Sequence, residues 1–203
     1  MKQPQNTSHT LERQEVYESL FGETKHVWHE KKEQSPHIDI YCFPPGHAGR
    51  DFYTLVTNGM SDRAMNLPEG MPPQMQQRRV ELVFYCSEPK AEYAELLRRL
   101  AHYVSEQNTW FGMGHTMETH SIELLHRSDV DALLFLLTPV IPDDSLPIRL
   151  DIEGDPVWLL WVIPITAEEC ALVRQAGCLE TVMRAFSKHG RPCVFQPDGR
   201  RPA

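Results

Sequence analysis

Apolar and polar positions alternate along His37–Phe43, where Ile38, Ile40 and Cys42 interleave with His37, Asp39 and Tyr41. That is the period of a β-strand, and Pro44-Pro45-Gly46 ends it. Phe52–Thr57 is β-branched and aromatic and predicts a second strand, closed by the turn dipeptide Asn58-Gly59. Val80–Cys86 is apolar almost throughout, the pattern of a strand covered on both faces. Ala132–Leu137 and Val157–Ile163 read as two more buried strands, the second with Trp158 and Trp161 on opposite faces. Lys25–Glu30 and Leu146–Ile152 are shorter candidates.

Helical spacing appears elsewhere. Leu11–Phe21 predicts a helix with Leu11, Tyr17, Leu20 and Phe21 roughly on one side and Gly22 as its stop. Tyr93, Leu96, Leu97, Leu100 and Val104 mark a long amphipathic helix, with Ser87 as the expected cap and Pro89 near its first turn. Thr166 and Glu169 form a capping box for a helix that ends near Gly177. Leu179, Val182, Met183 and Phe186 predict a last helix, ended by Gly190. Met65–Gln77 and Asn108–Met117 read as loops. The order predicts an α+β fold: a mixed, largely antiparallel sheet flanked by helices. The expected layout is a tail over 1–10, one domain over 11–190 and a polar tail over 191–203.

Composition narrows the function classes. The chain has 203 residues, 41% hydrophobic and 24% charged, enough for one well-cored domain. Its formal charge is -8. The basic pairs Arg78-Arg79, Arg98-Arg99 and Arg200-Arg201 are too small for a nucleic-acid footprint, so no nucleic-acid partner is expected. The five cysteines are Cys42, Cys86, Cys170, Cys178 and Cys193, with no CxxC pair, which disfavours a disulfide scaffold or a zinc knuckle. No apolar run approaches the ~20 residues of a membrane span, and the N-terminus lacks a signal-peptide pattern. A reducing cytoplasm is the expected compartment.

Few side chains suggest chemistry. His37 and Asp39 share one strand face and could serve a metal or an acid–base pair, or simply bond each other at a sheet edge. His115, Glu118 and His120 lack the spacing of a zinc-protease helix. Asp62 follows a turn and can hold loop amides or pair with a neighbouring arginine. Cys86 reads as a buried thiol. There is no GxSxG, GxxxxGK[ST] or GxGxxG. No cofactor or metal is expected. The enzyme alternative, a small metal-dependent hydrolase, requires His37, Asp39, Asp62 and His115 to converge in one cleft.

Five segments in order resemble the Suppressor of fused family. They are His37–Pro45, Phe52–Asn66, Arg79–Tyr85, Leu100–Val104 with Asn108–His115, and Trp158–Pro164 with Thr166–Cys170. Together they span roughly residues 15–190. The resemblance implies an α+β domain like the family's N-terminal domain, without enzymatic activity, in a single-domain bacterial-type member. It makes His37, Asp39, Tyr53, Asp62, Asn108, Thr109 and Trp110 structural motif residues. In the animal member a partner peptide of a Gli-type transcription factor lies as a strand between two strands. Those match Val80–Cys86 and Val157–Ile163, which implies strand addition. Partner contacts are then expected at Leu82, Phe84, Trp158 and Leu160, and at Tyr103, Gly114 and His115 of the helix and loop. Gly114 stands where the animal protein has an aspartate, and Pro139-Val140 where it has an acidic pair, with Asp143 and Asp144 nearby. The bacterial type implies an immunity protein that neutralises a toxin by binding it, and the acidic chain suits a basic toxin domain.

Overall fold

The strand that reads as apolar throughout lies in the middle of the sheet. In the computed structural model, which describes residues 7–31, 34–72, 75–118, 120–127, 129–138, 148, 150–176, 184 and 194–197, β4 (Arg79–Cys86) is buried at every position. The other strands are β1 (His26–Trp28), β2 (Asp39–Phe43), β3 (Tyr53–Asn58), β5 (Thr116–Met117), β6 (Ala132–Leu137), β7 (Asp151–Ile152) and β8 (Asp155–Ile165). The sheet order is β1-β2-β3-β4-β8-β6-β5, with β7 paired to β8. Every pairing is antiparallel except β4 with β8. The mixed, largely antiparallel α+β sheet is therefore as expected.

Both faces are covered, so alternation sorts each strand between two cores. Ile40, Cys42, Leu55, Leu82, Phe84, Leu160 and Val162 pack against α2 (Ala91–Glu106). Tyr41, Phe43, Val56, Val83, Tyr85, Leu159 and Trp161 face the other side, with α1 (Thr7–Phe21) and α3 (Ala167–Ala176). Trp158 and Trp161 fall in different cores, as their spacing requires.

Several local expectations are met at their caps. Gly22 ends α1 at φ 85, its N–H bonded to the Glu18 carbonyl. Thr166 and Glu169 close a reciprocal capping box at 2.9 and 3.2 Å. The β7–β8 hairpin turns on Glu153 (φ 54) and Gly154 (φ 84), both in the left-handed region that a two-residue type I′ turn needs.

Others are corrected. α1 begins at Thr7 and not at Leu11, and Leu11 is 60% exposed, because the buried stripe runs through Arg13, Tyr17 and Phe21. Ser87 does not cap α2; the cap position is Lys90, and the Ser87 N–H bonds to the Phe195 carbonyl. Phe195, placed by its surroundings in a polar tail, is buried against Phe84. The last predicted helix, over 179–190, lies outside the described residues, as do Cys178 and Cys193.

One buried polar cluster ties α1 to this sheet. Glu81 on β4 is fully buried. Its carboxylate accepts bonds from the Thr57 hydroxyl at 2.5 Å, the Gly59 and Ser61 amides at 3.1 and 2.9 Å, and the Ser61 hydroxyl at 2.6 Å. Arg13 brings its Nε to 3.6 Å from the same carboxylate and donates to Asn58 Oδ1 and Asp62 Oδ1, both at 2.6 Å. Burial lifts the Glu81 pKa, while Arg13, Ser61 and Thr57 hold the ionised form. Arg13→Met leaves the buried Glu81 without its cation. We expect a loss of about 3–5 kcal/mol, read from urea unfolding midpoints.

Candidate protein-binding surface

The C-terminal end of α2 sets the position of the loop that leads to β5. Asn108 takes φ 49, and the Thr109 N–H reaches back to the Val104 carbonyl at 3.1 Å. This is the six-residue closure of a Schellman cap, with asparagine at the left-handed position that glycine usually fills. Asn108 and Thr109 also line a small cleft of about 140 Å³ with Arg63, Asn66 and Ser105.

Beyond the cap, an aromatic array holds the loop. Tyr103 stacks on Phe111 at 6.2 Å with 9° between the rings, and Phe111 stacks on Phe135 of β6 at 4.2 Å. The Trp110 ring meets His115 edge-on at 4.0 Å. A Cβ on Gly112 would lie 2.4 Å from the same indole, so the ring's position demands glycine there.

The loop enters the sheet through a bulge. The His115 N–H bonds to the Gly112 carbonyl at 3.1 Å, making a tight turn, and Gly114 in that turn has φ 87. Gly114 N–H donates to the Phe135 carbonyl at 2.8 Å, and Phe135 N–H donates to the His115 carbonyl at 3.0 Å. Two residues thus oppose one, with glycine in the left-handed position: a G1 bulge. Conformation therefore accounts for Gly114 at a position where the resemblance places an aspartate. The bulge leaves Met113 at the turn tip, 46% exposed, and Tyr103 on α2 is 38% exposed. Among the described residues β5 is paired on one side only, with β6. An open cleft of about 790 Å³ lies between this end of the sheet and α3, with Glu118, Asp131 and Arg174 among its walls and Cys170 also lining it.

The two central strands, where the resemblance implies partner contacts, are bonded to each other. β4 and β8 pair directly from Arg79–Val157 to Val83–Trp161, and their other edges carry β3 and β6. No strand fits between them over that span. Leu82, Phe84 and Leu160 are at most 1% exposed and belong to the α2 core, because a strand apolar on both faces lies inside the sheet. Trp158 is half-buried against the same core. Pro139, Val140, Asp143 and Asp144 lie outside the described residues.

Of the four residues of the hydrolase alternative, His37 and Asp39 pair with each other, while Asp62 and His115 have other partners. His37 Nε2 and Asp39 Oδ1 are 3.0 Å apart, and His29 Nδ1 lies 2.9 Å from Asp39 Oδ2. Glu30 accepts from the Ile38 amide at 2.8 Å and meets His102 of α2 at 2.6 Å, so this cluster fastens β1 and β2 to the helix. Asp62 belongs to Arg13, and His115 to Trp110. Among the described residues no group of three or more His, Cys, Asp or Glu is arranged to hold a metal ion. Tyr53, the first residue of β3, accepts a bond from Lys25 Nζ at 3.1 Å. Gly59 in the Thr57–Asp62 motif is fixed by space: a Cβ there would lie 2.0 Å from the His37 carbonyl oxygen. No helix among the described residues is long and apolar enough to cross a membrane.

Pattern reading missed the buried stack of Phe111 on Phe135 that supports Tyr103, since only the fold brings residues 111 and 135 together. Burial holds the His115 imidazole below its usual value, partly offset by a hydrogen bond to the Trp110 backbone. The neutral ring is thus favoured in the folded chain. Its contribution is present above the unfolded value, about 6.5, and is lost as pH falls through the folded value. His115→Asn is expected to lose less stability than the parent between pH 7 and pH 5, compared by urea midpoints. The His115 ring itself should titrate below about 6.5 by NMR.

The family model described as Suppressor of fused protein (SUFU) matches residues 34–198. A search of curated proteins returns no match. Among solved structures, a Suppressor of fused homologue from Neisseria gonorrhoeae superposes with a TM-score of 0.68 at 14% identity, over 94% of each chain. A chain of the Sufu–Fu complex gives 0.61 at 14% identity, over 98% of this chain and 91% of that one. Drosophila Suppressor of Fused gives 0.56 at 13% identity over 96% of this chain, which spans 49% of that longer protein. At these identities the structures attest the fold alone, but the family model covers most of the length: the chain belongs to the Suppressor of fused family.

Proposed function

We propose that this chain is a non-enzymatic protein-binding module whose partner docks on the α2–β5 loop and the adjoining open edge of β5. The observation that carries it is two exposed side chains, Tyr103 near the end of α2, stacked on Phe111 and through it on Phe135, and Met113 at the tip of the turn that follows. A rigid aromatic and an adaptable thioether on a pre-formed support are the side-chain types that anchor protein interfaces. Beside them β5 can take an added strand through its backbone. His115 and Gly114 shape this surface from within the bulge. Family membership supports the same reading, since one similar structure is a Sufu–Fu complex.

The net charge of -8 favours a basic partner. With the bacterial homologue among the similar structures, it supports a cytoplasmic immunity protein that neutralises a basic toxin domain. Binding by the central strands, the mode first expected, is replaced here by binding at the loop and edge, for the central strands have no free ladder over their paired length.

The test uses the full chain as bait against the proteins of its own cell. The parent is expected to retain one or a few proteins stoichiometrically, and Met113→Asp to weaken the purified pair at least tenfold, about 1.4 kcal/mol. Tyr103→Ala should act in the same direction. Equal retention by parent and both variants, with unchanged affinity, would overturn the placement. Turnover of a small molecule without any retained protein would overturn the function.

A further inference from the structure

A thioether holds the middle of the α2–β5 loop. The Phe111 N–H donates to Met65 Sδ at 3.4 Å, and both residues are 4% exposed. They belong to the core on the α2 side of the sheet and lie far apart in sequence, so this is a tertiary bond. The loop backbone is tied near its start by the Thr109 N–H to Val104 and near its end by the Gly114 N–H to Phe135. Between those two ties, among the described residues, the Phe111 bond is the one that leaves the loop.

Packing alone does not clamp this joint. Met65 also lines the cleft of about 140 Å³ that Asn108 and Thr109 border, so open space adjoins it. Met65 itself is anchored: its N–H donates to the Arg78 carbonyl at 2.7 Å, next to the start of β4. The sulfur therefore sits on a segment bonded to the sheet, and the loop hangs on the sulfur. A buried amide needs an acceptor, and a leucine of similar volume offers none. A hydroxyl or carboxamide side chain would bring donors of its own into an apolar core. Methionine places a weak acceptor in the middle of an apolar chain, which satisfies the Phe111 amide and adds no second polar end.

We propose that Met65 is a positioning residue for partner recognition, its sulfur fixing the Phe111 backbone and through it the Tyr103 stack and the Met113 turn. This rests on the docking surface proposed above. Phe111 carries the Tyr103 ring, and Met113 follows two residues later. Loss of the bond leaves the two cores filled but frees the loop to sample other positions, which a partner must then order again on binding. The effect falls mainly on how fast the complex dissociates.

The test is Met65→Leu, which keeps an apolar side chain of similar volume and removes the acceptor. By amide hydrogen exchange, the parent should protect Phe111 comparably to Gly114, whose N–H bonds to β6. In Met65→Leu, Phe111 should exchange at least tenfold faster while the central β4 amides change less than twofold. Rapid exchange of Phe111 in the parent would overturn the proposal whether or not the variant folds. Equal acceleration of Phe111 and the β4 amides, the mark of a merely structural role, would do the same. The protein retained by the parent should dissociate from Met65→Leu at least threefold faster. Unchanged dissociation of a protein that Met113→Asp does weaken would sink the positioning role and leave the docking surface standing. If neither variant alters dissociation, the docking surface fails and the positioning role fails with it.

Discussion

A single carboxylate at the centre of the sheet organises the topology around it. Glu81 has no access to solvent, and a bare ion there would cost several kcal/mol. The chain meets that cost by wrapping the Thr57–Asp62 segment around it, so that hydroxyls and amides of Thr57, Gly59 and Ser61 all point inward. Arg13 then brings the counter-charge from α1 and fixes how that helix crosses the sheet. A buried pair of this kind adds little stability over an apolar replacement of the same shape, but it penalises every other register. Sliding α1 by one turn would strand both Arg13 and Glu81.

The same cluster explains what the most recognisable motif is for. Thr57-Asn58-Gly59-Met60-Ser61-Asp62 contains a serine and an aspartate beside a turn, which invites a chemical reading. Its polar atoms are spent on Glu81 and Arg13 instead, and Gly59 is required because the His37 carbonyl occupies the space of a side chain. His37 and Asp39 follow the same logic, bonded to each other and, through Glu30, to the helix. Motif residues in this chain mark where a polar atom must be satisfied inside the fold.

Strand periodicity was legible because it is local. β2, β3, β4, β6 and β8 coincide with the runs that alternate or stay apolar, since burial on one or two faces is written directly into side-chain type. The capping box of Thr166 and Glu169 and the Gly22 stop were legible for the same reason. What could not be read was pairing across distance. Arg13 looks like a surface residue on a helix, and only a carboxylate some seventy positions later makes its burial possible. Phe195 sits among polar residues, and the pocket of Phe84 and Tyr93 that receives it is closed by Arg127 from a third segment. The two most apolar stretches read as buried strands, and they are the ones the sheet encloses; that they pair with each other in parallel was not legible.

That enclosure leaves β4 and β8 bonded to each other along their paired length. A protein that recognises others through its sheet must leave backbone groups unpaired, yet a long bare edge invites aggregation. Among the described residues the strands at both ends of the sheet are short, three residues in β1 and two in β5, and the Gly114 bulge twists the approach to β5. In the proposed docking, specificity passes to side chains that the bulge and the aromatic stack hold still. Tyr103 is backed by the stack of Phe111 on Phe135, and Met113 stands at the tip of a turn whose flanking Gly112 and Gly114 are set by the Trp110 ring and by the backbone. The rigidity that costs the loop its freedom before binding is freedom that need not be lost on binding.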